Sequence, residues 1–172
     1  MANHYLTIKS GVPTREFPTA QSVGAADAGK ILALGDNGKL DTSVLPPGVG
    51  QQVSLITASE ALMAGNFVNI WSASGTAKVR KADNSNGRQA DGFVITGVAS
   101  DADATVYPLD GVNSALTGLA PGGMYWLGTA GAATATPLDA TDIANANKIN
   151  QQLGKALSAT ELRTTDYGYQ VL

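Results

Sequence analysis

The chain has 172 residues, a formal net charge of −3, and 44% hydrophobic residues with aromatics at only 6%. That length suits one domain, or one domain with an arm. The acidic balance argues against a general nucleic-acid binder, which needs a basic face to displace counterions from phosphates, and the absence of cysteine excludes disulfides and thiolate metal sites.

Ala supplies much of the apolar content. Burial stabilises by ~25 cal/mol per Å² of apolar surface, so a core of Ala and Gly is thin for this length. Part of the stability is therefore expected from a partner, most simply further copies of the chain. The opening MANHYLTIKSG has no apolar segment of signal-peptide type. No window approaches the apolar length needed to span a membrane as a helix. Charges of both signs are scattered without a long run.

Residues 1–50 read as an extended N-terminal arm rather than a self-sufficient domain. HYLTIK alternates and predicts one strand. Pro13 and Pro18 are expected to break regular structure after it. In GKILALGDNGKLDTSVLPPG, residues 30–34 predict a strand, Asp36-Asn37-Gly38 its turn, and residues 39–41 a short return, because Asn-Gly tolerates positive φ. Pro46-Pro47-Gly48 ends the segment. Its apolar residues (Ile31, Leu32, Leu34, Leu40, Val44, Leu45) need a surface to lie on.

Residues 51–172 read as an all-β domain, a small β-barrel or β-sandwich. Predicted strands cover 52–58, 67–71, 76–82, 91–100, 105–109, 124–128, 152–158 and 161–164, with turn residues between them. Residues 59–62 are expected to form one helical turn, and 129–137 a weak hairpin arm. Phe93, Val94, Ile95 and Val98 are core candidates. DATDIANANKIN (139–150) has some helical character, with Asp139 or Thr141 as its cap. Residues 167–172 form a final extended tail.

Candidate chemistry is sparse. The one histidine, His4, lies in the arm and is read as a polar strand residue, so a Ser-His-Asp site is close to excluded. Asp101 and Asp103 lie in an Asp-Ala-Asp-Ala turn, where Asp bonds its own backbone. The EF-hand pattern and the P-loop are both unmatched. Trp71, Tyr125 and Trp126 fit packing in an aromatic-poor core better than a stacking platform. Lys78, Arg80, Lys81 and Arg88 form the local basic cluster, either a solvated strand face or an ionic contact with an acidic partner. No catalytic, cofactor-binding or metal-ligating residue is identified.

Four stretches together, ITASEALMAGNFVNIW, TAKVRKADNSNGRQADGFVITGVASDADATVYPLDG, LTGLAPGGMYWLGTAGAATATP and QQLGKALSATELR, resemble tailed-bacteriophage head decoration (capsid cement) proteins. Related β-rich modules of phage fibres share the style, and GKILALGDNGKLDTSVLPPG looks like a segment that precedes such modules. The resemblance implies a β-tulip-like domain behind an arm. It implies a non-enzymatic virion protein, made in the host cytoplasm, that binds the outer capsid surface and bridges capsomers. Its implied partners are the major capsid protein and itself, as a homotrimer, with no nucleic acid, membrane, cofactor or small-molecule substrate. Contact with the capsid or a neighbouring subunit is expected from Tyr5, Leu6, Ile8, Ile31, Leu34, Leu40 and Leu45, with Lys78 and Arg80 as ionic contacts. Two other readings are a head-fibre or tail-fibre module binding glycan through Trp71, Tyr125 or Trp126, and a polysaccharide hydrolase working through carboxylates. Absent heptads lower the fibre reading, and the turn-like setting of the acids lowers the hydrolase.

Overall fold

A computed structural model describes residues 4–36, 38–45 and 52–172, and their regular secondary structure is almost entirely β. The chain divides into two compact units, Met1–Gln51 and Gln52–Leu172.

In the first unit, β1 (Tyr5–Lys9) and β2 (Val12–Glu16) form an antiparallel hairpin. Ser10 and Gly11 both take positive φ at its two-residue loop, the primed-turn geometry that matches strand twist. Pro13 thus lies inside a strand instead of breaking the chain. A two-stranded ribbon is all edge, where a residue without an N–H is tolerated. Residues 30–34 do not form the expected strand. Only an isolated parallel bridge, Thr19↔Leu32, is present, held by Thr19 N to Ile31 O and Ala33 N to Thr19 O. Short 3-10 turns span Ala25–Asp27 and Thr42–Val44. Asn37 of the expected turn and the 46–48 stop lie outside the described residues.

The second unit begins with a five-stranded sheet in the order β3-β7-β6-β4-β5. These strands are β3 (Ser54–Thr57), β4 (Phe67–Ala73), β5 (Thr76–Lys81), β6 (Gly92–Phe93) and β7 (Asp103–Pro108). The sheet curls until the residue after β3 meets β5 through the parallel bridge Ala58↔Val79. Inside the curl lies a core of Ala58, Leu62, Val68, Val79, Val94, Ala104 and Val106. Residues 59–62 are not helical; Leu62 instead bridges antiparallel to Val98. The strand expected over 91–100 is only two residues long. After it, the Val94 N–H bonds Asn66 O and the Gly65 N–H bonds Val94 O, which turns the chain off the ladder.

A second sheet runs β10-β9-β11-β12-β8, with β13 also paired to β11. It comprises β8 (Val112–Asn113), β9 (Met124–Leu127), β10 (Ala133–Thr134), β11 (Ile149–Ala156), β12 (Leu162–Thr164) and β13 (Tyr169–Val171). Its inward side chains, Tyr125, Leu127, Leu153 and Leu162, pack with Phe67, Phe93 and Leu109 into a second core. Phe93 stacks on Tyr107 at 5.5 Å between centroids and tilts against Phe67 at 6.2 Å. Curled sheet and sandwich therefore coexist. Side chains alternate faces along a strand, so Phe67 and Val68 serve different cores, as do Phe93 and Val94.

The helical expectation for 139–150 is not met beyond a 3-10 turn at Ile143–Asn145. Asp142, not Asp139 or Thr141, caps it by accepting from Ala144 N. Asp139 instead accepts from the Thr141 N–H and hydroxyl. The segment offers no apolar stripe, and Asp, Asn and Thr compete for backbone bonds in ways that favour turns.

β11 changes register against β9 between Gln152 and Gly154. A Cβ at Gly154 would sit 2.0 Å from Arg163 O, at a φ of 152° that disfavours side chains. Gly154→Ala should destabilise the unit by about 1–3 kcal/mol through backbone strain. Leu153→Ala, which empties a fully buried site, should cost about 2–5 kcal/mol. Urea unfolding midpoints of the two variants check both values.

Candidate attachment surface

Leu6 and Ile8 share one face of β1, opposite Arg15 and Pro13 of β2. Both are about three-quarters exposed, at 73% and 74%. Tyr5 lies on the other face. Its hydroxyl donates to Glu16 Oε2 at 3.1 Å and accepts from the Ile31 N–H at 3.3 Å, tying hairpin to loop. Glu16 also pairs with Lys9, and that bond chiefly holds its carboxyl below the usual carboxylate range. Ile31, Leu34 and Leu40 are exposed and Leu45 is half-buried. No described residue of this unit is buried. What organises it is polar and wet: Lys30 on Asp27 at 2.7 Å, Gln21 on Asp41 at 3.1 Å, and Ser22 N on Ser43 Oγ at 2.9 Å. Exposed pairs of this kind contribute little each. The arrangement presents uncovered apolar side chains and strand edges, which suit β-augmentation or apolar docking.

Lys78 and Arg80 are set apart from these residues in the chain and have local work. They lie on β5 with their β4 partners Trp71 and Asn69 directly opposite, which puts all four on one face. Arg80 Nε donates to Asn69 Oδ1 at 3.0 Å, and the guanidinium lies 4.7 Å from the centre of the Trp71 ring. Lys78 Nζ pairs with Asp101 at 3.3 Å. The Trp71 indole N–H donates to Ser59 Oγ, the Ser59 N–H and hydroxyl both donate to Val79 O, and the Lys81 N–H donates to Glu60 Oε1. This network pins the place where the curled sheet meets itself. Asp91 anchors its other end, accepting from Asn69 Nδ2 and the Ile70 N–H. Asn69, Asp91, Ser59 and Glu60 were not legible as a set. The one signal was a polar Asn inside the apolar run FVNIW.

The remaining candidates separate. His4 is exposed, 6.4 Å from Phe17 between ring centres. Asp101 is engaged by Lys78, while Asp103 accepts from the Thr57 hydroxyl at 3.0 Å. Tyr125 is buried, its hydroxyl accepting from Ala120 N, whereas Trp126 is half-buried. Among the described residues no group of three or more His, Asp or Glu could hold a metal ion.

Asp83 is the best-supported acid. It accepts from the Ser85 hydroxyl and N–H and from the Ala130 N–H, joining two loops of the second unit. Burial pushes its pKa up, but the bonds from Ser85 and Ala130 outweigh it and leave the carboxyl below its ordinary range.

Two outcomes follow from this geometry. Arg80→Ala should lose about 1 kcal/mol, from a hydrogen bond and an aromatic contact, while Lys78→Ala should change stability by less than about 0.5 kcal/mol because its pair is exposed; thermal melts compare them. A lowered folded pKa contributes stability above the unfolded value of about 3.9 and loses it as pH falls through the folded value. Asp83→Asn should therefore flatten the acid limb of a stability profile recorded from pH 6 to pH 2.

No protein-family model matches the chain, and no curated protein matches it. Among solved structures it is similar to the head fiber gp8.5 N base of bacteriophage phi29, with 13% identity and a TM-score of 0.43, over 67% of this chain and 95% of that one. Similarity of that extent assigns neither the fold nor a role.

Proposed function

We propose that this is a non-enzymatic structural protein of a phage virion, whose first unit attaches it to a shell built by other subunits. The observation that carries the reading is the first unit's lack of any buried described residue, together with the exposed Leu6, Ile8, Ile31, Leu34 and Leu40. Fully burying one such side chain gains about 1.5–3 kcal/mol. Several of them, repeated around an icosahedral shell, give avidity without one strong site. The sequence resemblance to decoration proteins supports the same reading, with the major capsid protein as partner, the outer capsid surface as location and a homotrimer as the bound form. In that reading the protein stabilises the capsid by bridging capsomers. Lys78 and Arg80 contribute less to attachment than the apolar residues, because both already have partners within their own unit.

The test uses the full chain. Leu6→Asp with Ile8→Asp places two charges on an exposed face and should leave folding intact. Sedimentation with expanded, undecorated capsids should show binding weakened at least tenfold. Undiminished binding overturns the attachment role of this face. Density at the three-fold positions of the head in the purified virion supports the bridging role; density on projecting fibres alone transfers the protein to the fibre reading.

A further inference from the structure

We propose that the outer face of the second sheet binds a neutral saccharide, in a cleft of about 420 Å³ lined by Trp126, Asn150, Gln152, Tyr167, Tyr169 and Gln170. These residues all belong to Gln52–Leu172, so the site does not depend on the attachment reading.

The cleft follows from strand alternation. Along β11, Ile149, Gln151 and Leu153 are buried, which turns Asn150 and Gln152 the other way. Trp126 of β9 stands opposite Gln152, and Gln170 of β13 stands opposite Asn150. Two aromatic–amide and amide–amide pairs thus lie side by side. Between β12 and β13 the chain turns at Gly168, with φ at 68°, and brings Tyr167 and Tyr169 to the rim.

Polar bookkeeping sets these residues apart. Inward-facing Gln151 is doubly bonded to Ala90, Oε1 accepting at 2.7 Å and Nε2 donating at 2.9 Å. Asn84 donates to Leu127 O, and Asn113 to Gly65 O. In contrast, the Asn150 Oδ1 atom is shielded from solvent with no hydrogen-bond partner, a state that carries a desolvation cost. Amides arrayed beside aromatic rings and facing solvent, as Gln152 and Gln170 do, are what a ligand rich in hydroxyls pairs with. Each sugar hydroxyl both donates and accepts, as does each amide, and the apolar C–H face of a pyranose lies on an aromatic ring.

Charge narrows the class. No Lys, Arg, Asp or Glu lines the cleft, so phosphate, sulfate and ammonium ligands find no counter-charge. A nucleic acid would stack its bases but leave its backbone unpaired. The volume is at the lower end of the ~300–1,000 Å³ usual for ligand sites, which suits a mono- or short oligosaccharide.

The experiment is an array of uncharged glucose-, galactose-, mannose- and N-acetylglucosamine-terminated glycans probed with the full chain. The strongest sugar is then titrated against ¹⁵N-labelled protein. The chain has two tryptophans, so two indole N–H signals report. The Trp126 signal should shift, while that of Trp71, bonded to Ser59, should not. Trp126→Ala and the more exposed Tyr167→Ala should each weaken binding at least tenfold, and Lys78→Ala should not change it. Absence of binding to any neutral glycan overturns the proposal. So does binding that Tyr167→Ala and Gln170→Ala both leave intact in folded protein, or a shift at Trp71 alone.

Discussion

The second unit depends on two adjacent pairs of residues that face opposite ways. Phe67 and Phe93 enter the core between the sheets, while Val68 and Val94, their immediate neighbours, fill the curl of the first sheet. Neither core is large in a chain with 6% aromatics. Sharing β4 and β6 between them lets one short strand segment be buried on both faces. That requires near-continuous apolar sequence, FV and FV, where a one-sided sheet would alternate. A register slip of one residue at β4 would exchange the occupants of the two cores. The strong specification of register here is what allows short strands elsewhere to hold.

Around those cores, side-chain amides do work usually left to strand ladders. Gln151 forms both bonds to Ala90, much as a neighbouring strand would, and Asn84 and Asn113 extend the chain's pairing past the strand ends. This supports β6 and β8, which have only two residues each. Buried polar groups of this kind are favourable only when satisfied, and these are. The cleft beside Trp126 differs, because there the amides of Gln152 and Gln170 face outward instead of closing on the backbone.

The first unit follows a different economy. It has a hairpin, two 3-10 turns and a set of exposed polar contacts, but no buried described residue. Its order rests on bonds that solvent weakens, and most of its described large apolar side chains are exposed. A segment of this composition gains most when another surface covers it, which is why the functional proposal is placed there. Lys78 and Arg80 show the converse. They stood out in sequence as a basic cluster, yet each has a partner within its own unit: Arg80 meets Asn69 and Trp71 where the curled sheet closes, and Lys78 pairs with the exposed Asp101.

The sequence by itself determined the all-β class and the main strands, expected over 67–71, 76–82 and 124–128 and found at Phe67–Ala73, Thr76–Lys81 and Met124–Leu127. Those features are local: alternation, β-branched and aromatic residues, and Gly or Asn at turns declare themselves within a few positions. Only the tertiary structure decided that 91–100 leaves the ladder after Phe93, that 139–150 is turns leading into β11 rather than a helix, and that Pro13 sits within a strand. Each depends on a partner distant in the chain or on which edge of a ribbon a residue occupies. The cleft is the clearest case. Trp126 stood out in the sequence as an aromatic candidate, but Gln152 and Gln170 did not, and only the pairing of β9, β11 and β13 puts the three on one face.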